Sequence, residues 1–248
     1  MTAKVSISIV SHGHGEMVSE LVNQLLICKS IGQVIITHNV PENIFFPPDP
    51  RISTIVNPAP KGFGANHNAA FRAVTHEWFV VLNPDVTIQG DPFDKLLKEA
   101  QVSGGSILAP CARTATGATD DNWRRFPTVW SLVLKAFGGS DGRYAIGASA
   151  STSFRVEWVS GFCMLIKTEV FAALNGFDER YFMYYEDVDF CARAWRAGFP
   201  VLACSNVDMI HNARRASRRN LRHMRWHLAS LLRYLISNAG RLPRIENT

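Results

Sequence analysis

Four short segments gather side chains that can handle phosphate, metal or a transferable proton. The first is Asn83-Pro84-Asp85 at the end of an apolar run. Pro84 holds Asn83 extended, so the strand carries on and presents Asp85 at its tip. A carboxylate so placed can hold Mg²⁺ or Mn²⁺, ions that take their other ligands from water and substrate phosphates. The same tripeptide is also a common turn. The second segment is Lys61-Gly62-Phe63-Gly64-Ala65-Asn66-His67-Asn68. Glycines at a helix entry let backbone N–H groups approach a phosphate or a sugar, though they also serve as a plain helix start. The third is Phe182-Met183-Tyr184-Tyr185-Glu186-Asp187-Val188-Asp189. Acids favour a helix N-terminus for electrostatic reasons alone. Three of them behind four bulky residues also make a sheltered carboxylate group fit for a general base. The fourth is His12-Gly13-His14, an H-x-H pair of the kind that binds metal in barrel hydrolases. There are too few strands here for that barrel. A lone His211 follows a late strand.

These segments need a scaffold that brings chain positions far apart to one edge. Val5–Val10, Val34–Thr37, Ile52–Val56, Trp78–Leu82 and Ile107–Ala109 read as strands. Glu16–Cys28, Gly62–Val74 and Pro92–Val102 read as the helices between them, with apolar residues at helical spacing. Strand–helix alternation predicts an α/β fold with a mostly parallel sheet flanked by helices. Ligands then bind beyond the carboxyl ends of the strands, where the candidate segments fall. Residues 111–154 lose the pattern and read as a long loop or lid with one helix near Val129–Phe137. Strands return over Val156–Lys167 and Val201–Ala203, and helices over Glu169–Leu174, Asp187–Ala197 and Leu221–Ile236.

Composition narrows the class. Hydrophobic residues make up 47% and charged residues 19% of the 248 positions, which excludes a disordered chain, a fibre or a coiled coil. No apolar run is long enough to cross a bilayer, and the N-terminus lacks a signal-peptide pattern. Five cysteines without metal or redox spacing read as reduced thiols of a cytoplasmic protein. The net charge of +5 is unevenly spread. Residues 213–248 hold nine Arg and one Glu, a net +8, which leaves −3 for residues 1–212. The division is therefore a body over 1–212 and a basic amphipathic tail over 213–248. In the tail, Leu221, Met224, Leu228, Leu231, Leu232 and Leu235 share one face, with Arg218, Arg222, Arg225 and Arg233 on or beside the other. Such a helix either docks on an anionic membrane through residues 213–241 or packs on the body with its arginines in water.

Taken in order, the segments resemble the family 2 glycosyltransferases of GT-A (Rossmann-like) fold, in particular the rhamnosyltransferase-like branch of bacterial polysaccharide synthesis. The likeness rests on Asn57 followed by Gly62–Asn68, Leu82–Asp85, Val156–Gly161, Gly176–Glu179, Phe182–Asp189 and His211, and covers nearly all of residues 5–212. It implies an inverting, metal-dependent hexosyltransferase. Asp85 stands at the family's metal-binding Asp, with Mg²⁺ or Mn²⁺ as the ion, and His211 at a second metal ligand. Asp187 stands at the catalytic base. Gly62, Asn68 and Asn83 fall in the nucleotide-sugar site, and Trp158, Ser160, Gly161 and Glu186 around the sugar and acceptor.

Two departures concern the nucleotide. Ser11-His12-Gly13 replaces the family's Thr-Tyr-Asn, and Thr37-His38-Asn39 lacks its acidic residue. Ser11 and Asn39 thus occupy nucleotide-contacting positions without naming the base. The donor that the resemblance suggests is deoxythymidine-diphosphate-rhamnose (dTDP-rhamnose). The acceptor is a glycan or a lipid-linked sugar, met in the cytoplasm or on the inner face of the cell membrane. No nucleic acid is expected as a partner. Two rival readings are a sugar nucleotidyltransferase and an RNA- or membrane-binding module driven by the Arg-rich tail. The first requires a cationic loop after strand one, which Ser11-His12-Gly13-His14-Gly15 lacks. The second leaves the carboxylate clusters without a role.

Overall fold

A computed structural model describes residues 3–120, 122–140, 142–144, 153–212 and 221–245. Asp141, Arg218 and most of the segment before the last helix lie outside the described residues.

Strands β1 (Val5–Ser11), β2 (Ile31–His38), β3 (Ile52–Val56) and β4 (Trp78–Leu82) run parallel in the order β3-β2-β1-β4. Helices α1 (Glu16–Ile27) and α2 (Phe63–Phe71) lie on the crossovers between them. β4 is buried end to end, which explains its unbroken apolar run: both faces are covered. β1 is also buried except at Val10, although its serines alternate with apolar residues. After β5 (Val86–Thr87), helix α3 (Pro92–Ser103) starts at a capped end, where the Asp91 carboxylate accepts from the Asp94 N–H at 3.1 Å and Pro92 has no N–H to satisfy. It leads into β6 (Ile107–Arg113).

The next stretch, read from sequence as loop or lid, contains β7 (Trp123–Arg124), α4 (Val129–Ala136), β8 (Ser153–Arg155) and β9 (Trp158–Val159), with β7 paired to β9. The helix α4 starts in a reciprocal cap: Thr128 Oγ1 accepts from the Ser131 N–H at 3.0 Å, and Ser131 Oγ accepts from the Thr128 N–H at 2.8 Å. From the rim the chain enters β10 (Cys163–Lys167), which lies antiparallel between β4 and β6. β10 is entered from that rim, so it runs down the sheet, opposite to β4 and β6. Six of the nine strands, β1–β4, β6 and the last strand β11 (Val201–His211), share one direction, so the sheet is mostly parallel as expected, with β10 inserted the other way. The sheet is mixed and nine-stranded, with β5 and β8 also antiparallel to their neighbour.

Helices α5 (Thr168–Ala173) and α6 (Glu186–Arg196) lead to β11, parallel to β6. β11 is far longer than its apolar start suggests. Its register shifts between Cys204 and Asp208, and the strand then carries His211 itself to the rim, opposite Val86. Helix α7 (Leu221–Asn238) closes the described chain. One apolar cluster, with Phe93 and Leu25, fills the α1/α3 side of the sheet. A second, with Phe171, Phe190 and Tyr234, fills the α5/α6 side and takes in α7. All five cysteines are free and buried. Burial pushes the Cys28 and Cys111 thiols up to about 11, so they are protonated and unreactive at neutral pH.

Candidate active site

The carboxyl ends of β1, β2, β4 and β11 and the amino end of β10 meet at one rim of the sheet, around a cavity of about 610 Å³. His12, Asn39, Lys61, Asn83, Asp85, Asp187 and His211 all face it, although they are scattered over some two hundred positions. A second, outer cavity of about 910 Å³ lies between α4, β9 and α7. Ser160, Tyr184, Glu186 and Asp187 line both cavities; Asp85 lines the inner one alone and Trp158 the outer one alone. Asp187 therefore stands at a passage between two chambers.

The inner wall is held by asparagines. Asn39 Oδ1 accepts from the Lys61 N–H at 2.8 Å and from Asn57 Nδ2 at 2.9 Å, while Asn39 Nδ2 donates to the Lys61 carbonyl at 3.0 Å. Asn57 Nδ2 also donates to Asn66 Oδ1 at 2.6 Å, and Asn66 Nδ2 to the Gly62 carbonyl at 3.0 Å. This satisfied buried network ties the ends of β2 and β3 to the entry of α2. Beside it, His67 shares a hydrogen bond with Ser8 Oγ at 2.8 Å, and its burial lowers the imidazole to about 3, so the ring is neutral.

Asp85 Oδ1 is buried without a hydrogen-bond partner. His211 Nε2 stands 3.5 Å away, and its ring lies stacked on Phe162 with centroids 4.9 Å apart. On the other side of the ring, Asp120 Oδ2 is 3.7 Å from His211 Nδ1. An orphaned carboxylate oxygen facing an imidazole nitrogen suits a hard or borderline cation, and Asp120 is placed to orient the imidazole from behind. Among the described residues no group of three or more His, Cys, Asp or Glu makes a ready cage. That fits an ion completed by water and phosphate rather than by protein alone.

The opposite wall is the turn into α6. Tyr184 and Tyr185 both take left-handed conformations, with φ of 71° and 68°. Non-glycine residues there cost about 1–3 kcal/mol each and gather at functional sites. The turn sets Asp187 so that Oδ2 accepts from the Gly161 N–H at 2.9 Å and Oδ1 from the Val188 N–H at 2.8 Å. Burial still raises its pKa. Glu186 is more enclosed, its Oε2 finds no partner, and burial followed by the Asp187 charge raises its pKa well above the usual range. Of this pair Glu186 keeps the proton and Asp187 the charge. Asp189 points away: its Oδ2 accepts from Arg193 Nε at 2.8 Å, and Arg193 donates on to the Leu174 and Gly176 carbonyls.

Several expected residues sit elsewhere. Asn68 does not face the cavity. Its amide donates to the Phe177 carbonyl at 2.8 Å and accepts from the Phe177 N–H at 2.9 Å, because the second turn of α2 points it at the 176–179 loop, and Asn66 takes the cavity side. Ser11 is fully buried, its neighbours Val10 and His12 lining the cavity in its place. Gly62 acts through absence: a β-carbon there would lie 2.5 Å from the Phe182 carbonyl oxygen, so α2 and the 182–185 turn can touch only at glycine. Asp120 escaped the sequence reading because nothing in its Thr-Asp-Asp surroundings links it to His211. Arg222, His223 and Trp226 of α7 also line the inner cavity, although the tail reads from sequence as peripheral. The Tyr184 hydroxyl and His223 Nδ1 are 2.9 Å apart, and Phe182 packs on Trp226.

Residues 33–229 match the family described as Glycosyltransferase like family 2. The chain belongs to this family. Membership makes it a glycosyltransferase, which sets aside the nucleotidyltransferase reading and the non-enzymatic one. Rhamnosyltransferase WbbL of Escherichia coli is 28% identical over 243 residues, spanning 93% of this chain and 92% of the relative. An N-acetylglucosaminyl-diphospho-decaprenol L-rhamnosyltransferase of Mycobacterium tuberculosis is 31% identical over 147 residues, 55% of this chain and 47% of that one, so the match spans about half of it. Among solved structures, a Pyrobaculum calidifontis mannosyltransferase in complex with GDP-Man and Mn²⁺ has a TM-score of 0.66 at 12% identity, over 98% of this chain and 66% of the other. GalNAc-T7 with UDP, GalNAc and Mn²⁺ has a TM-score of 0.66 at 13% identity, over 86% and 44%. The fold is thus the α/β fold of these glycosyltransferases.

Proposed function

We propose that this glycosyltransferase inverts the anomeric centre of a nucleoside-diphosphate sugar, with rhamnose from dTDP-rhamnose as the donor and a glycan or lipid-linked sugar hydroxyl as the acceptor. The observation that carries the reading is the place of Asp187, whose carboxylate lines both chambers while Asp85 lines only the inner one. The donor occupies the inner chamber, nucleoside toward Asn39 and Lys61 and diphosphate toward Asp85 and His211. Asp85 and His211 are the residues that would hold Mg²⁺ or Mn²⁺. Bound there, a divalent ion offsets charge on the departing diphosphate. The acceptor enters from the outer chamber past Trp158 and Ser160. Asp187 takes the proton of its hydroxyl, the new O–C bond forms at the anomeric carbon, and the old C–O bond breaks with its electron pair going to the diphosphate. Because attack comes from the chamber opposite the leaving group, configuration inverts. The Gly161 and Val188 amides keep Asp187 aimed, so little reorganisation is needed. The relatives that act on rhamnose and on a decaprenol-linked sugar support the donor and acceptor classes. The basic tail supports a peripheral station on the inner membrane face.

The experiment is release of nucleoside diphosphate across a set of nucleotide sugars with a sugar-diphospholipid acceptor, followed by NMR of the product's anomeric configuration. Turnover of dTDP-rhamnose with inversion is expected. Retention of configuration, or turnover of other donors only, would overturn the corresponding part.

A further inference from the structure

Helix α7 faces the wrong way for a helix that exists only to complete a core. Its buried positions are Ser230, Tyr234 and Asn238, and His223 and His227 on the same side meet Tyr184 and Tyr185. Its leucine stripe faces out: Leu221, Met224, Leu228, Leu232 and Ile236 recur every three or four residues and all are exposed. Helix α4 is more extreme. It buries no residue, and Val129, Trp130, Val133, Leu134 and the following Phe137 are exposed, Trp130 by 70% and Phe137 by 87%. The two helices border the same outer chamber, and Leu134 of α4 with Met224 and Leu228 of α7 belong both to its wall and to the exposed apolar faces, so the faces meet at its mouth. Two neighbouring helices that each expose an apolar face of this kind are uncommon on a free protein and mark a docking face.

Charge says what docks. Arg222, Arg225 and Arg233 flank the stripe on α7, and Arg214, Arg215, Arg218 and Arg219 precede it in sequence. Apolar residues edged by arginines, with a tryptophan at the tip, match the interface of an anionic bilayer: the rings and leucines enter the acyl boundary and the guanidinium groups meet headgroup phosphates. No described helix is long and apolar enough to cross a membrane, so the pair lies in the surface plane. We infer that α4 and α7 together form a bilayer-docking face, and that the outer chamber between them opens onto the lipid surface and admits a lipid-linked acceptor to Asp187 directly from the membrane. Arg124 and Arg125 on the chamber wall provide cations where the acceptor's phosphate link would lie. This last part rests on the proposed transferase reading; the docking face does not.

Co-sedimentation with vesicles of phosphatidylcholine, with and without phosphatidylglycerol, tests the face. The full chain should bind the anionic vesicles and be released by salt. The pairs Trp130→Ser/Phe137→Ser and Leu232→Ser/Ile236→Ser, which lie outside both chambers, should each weaken binding by about tenfold or more. Bromine-labelled acyl chains should quench part of the tryptophan emission, and Trp130→Phe should remove that part. Transfer to a water-soluble acceptor should survive in both pairs, and transfer to a vesicle-embedded one should fall with binding. Native-like binding of the α4 pair without Trp130 quenching would overturn the inference. So would a dimer in sedimentation velocity that the α4 pair dissociates without change in vesicle binding, since the face would then join two copies. No transfer to either acceptor, with vesicle binding and quenching intact, would instead fault the transferase reading and leave the docking face supported.

Discussion

Asp187 and Glu186 are neighbours in sequence, yet burial raises the Glu186 pKa further, and the difference comes from what each can reach. Asp187 has two backbone donors at the start of α6 and still opens to both chambers. Glu186 is enclosed, and one of its oxygens has no donor. Asp187→Asn keeps the shape and removes the basicity, so turnover should fall about 10²–10⁴-fold with donor affinity little changed. Single-turnover kinetics beside calorimetric donor titration checks this; near-normal turnover would move the base to another residue. Since burial raises the pKa of Asp187, the acid limb of the rate profile should lie above the ordinary aspartate range. Glu186 bears on stability. Its folded-state pKa exceeds the unfolded one, so the folded chain holds a proton that the unfolded chain has lost, and stability drains as pH rises through that window. Glu186→Gln should therefore gain stability relative to the parent as pH rises from about 4.3, the ordinary glutamate value, read as urea midpoints over a pH series.

The turn from Phe182 to Tyr185 and the helix it starts act as one unit. Two left-handed tyrosines aim the first turn of α6 at the rim, and three contacts hold them there. Gly62 allows α2 to touch the turn, aromatic packing joins it to α7, and the Asp189–Arg193 pair fastens α6 to the carbonyls of Leu174 and Gly176. Asp189→Asn weakens a largely buried charge-assisted hydrogen bond and should cost about 1–3 kcal/mol. Turnover should drop only modestly at a temperature where the variant is folded. Gly62→Ala forces the turn back and should lower turnover more than stability. Melting curves paired with activity separate the two; a collapse of activity in Asp189→Asn at unchanged melting temperature would place that residue in the chemistry.

Across the molecule, one sheet edge serves two chambers. The parallel half supplies the asparagine-lined wall, and the β10–β6–β11 half supplies Phe162 and His211 against Asp85. A donor seated between them joins the two halves, so ligand should stabilise the whole chain. At a donor concentration of about a hundred times Kd the gain is about 2.7 kcal/mol, or roughly 5–10 °C in melting temperature for a chain of this size. The Mn²⁺-dependent part of that shift should vanish in Asp85→Ala and shrink less in His211→Ala. In Asp120→Asn the metal concentration needed should rise about 10–100-fold, the usual effect of losing a carboxylate behind a metal-bound imidazole. An unchanged, still metal-dependent shift in Asp85→Ala would refute the assignment.

The main strands and helices and the rim location of the candidate site were legible because each rests on local pattern, whereas the roles suggested for Asp85 and Asp187 came from the family resemblance. Alternating or continuous apolar runs report burial, Pro84 extends Asn83, and acids mark a helix start. Side-chain direction on α2 was less legible: Asn66 and Asn68 lie two residues apart, and only the packing of Phe177 decides which one sees the cavity. The antiparallel course of β10 depends on where the chain emerges from the preceding segment, and the placing of Asp120 behind His211 on a meeting of β11 with a loop some ninety positions earlier. The leucine stripe of α7 was visible as a stripe. Which way it faces follows from Tyr234 and Ser230 fitting the core against α6, and amphipathicity, being symmetric between a core and a bilayer, does not carry that direction.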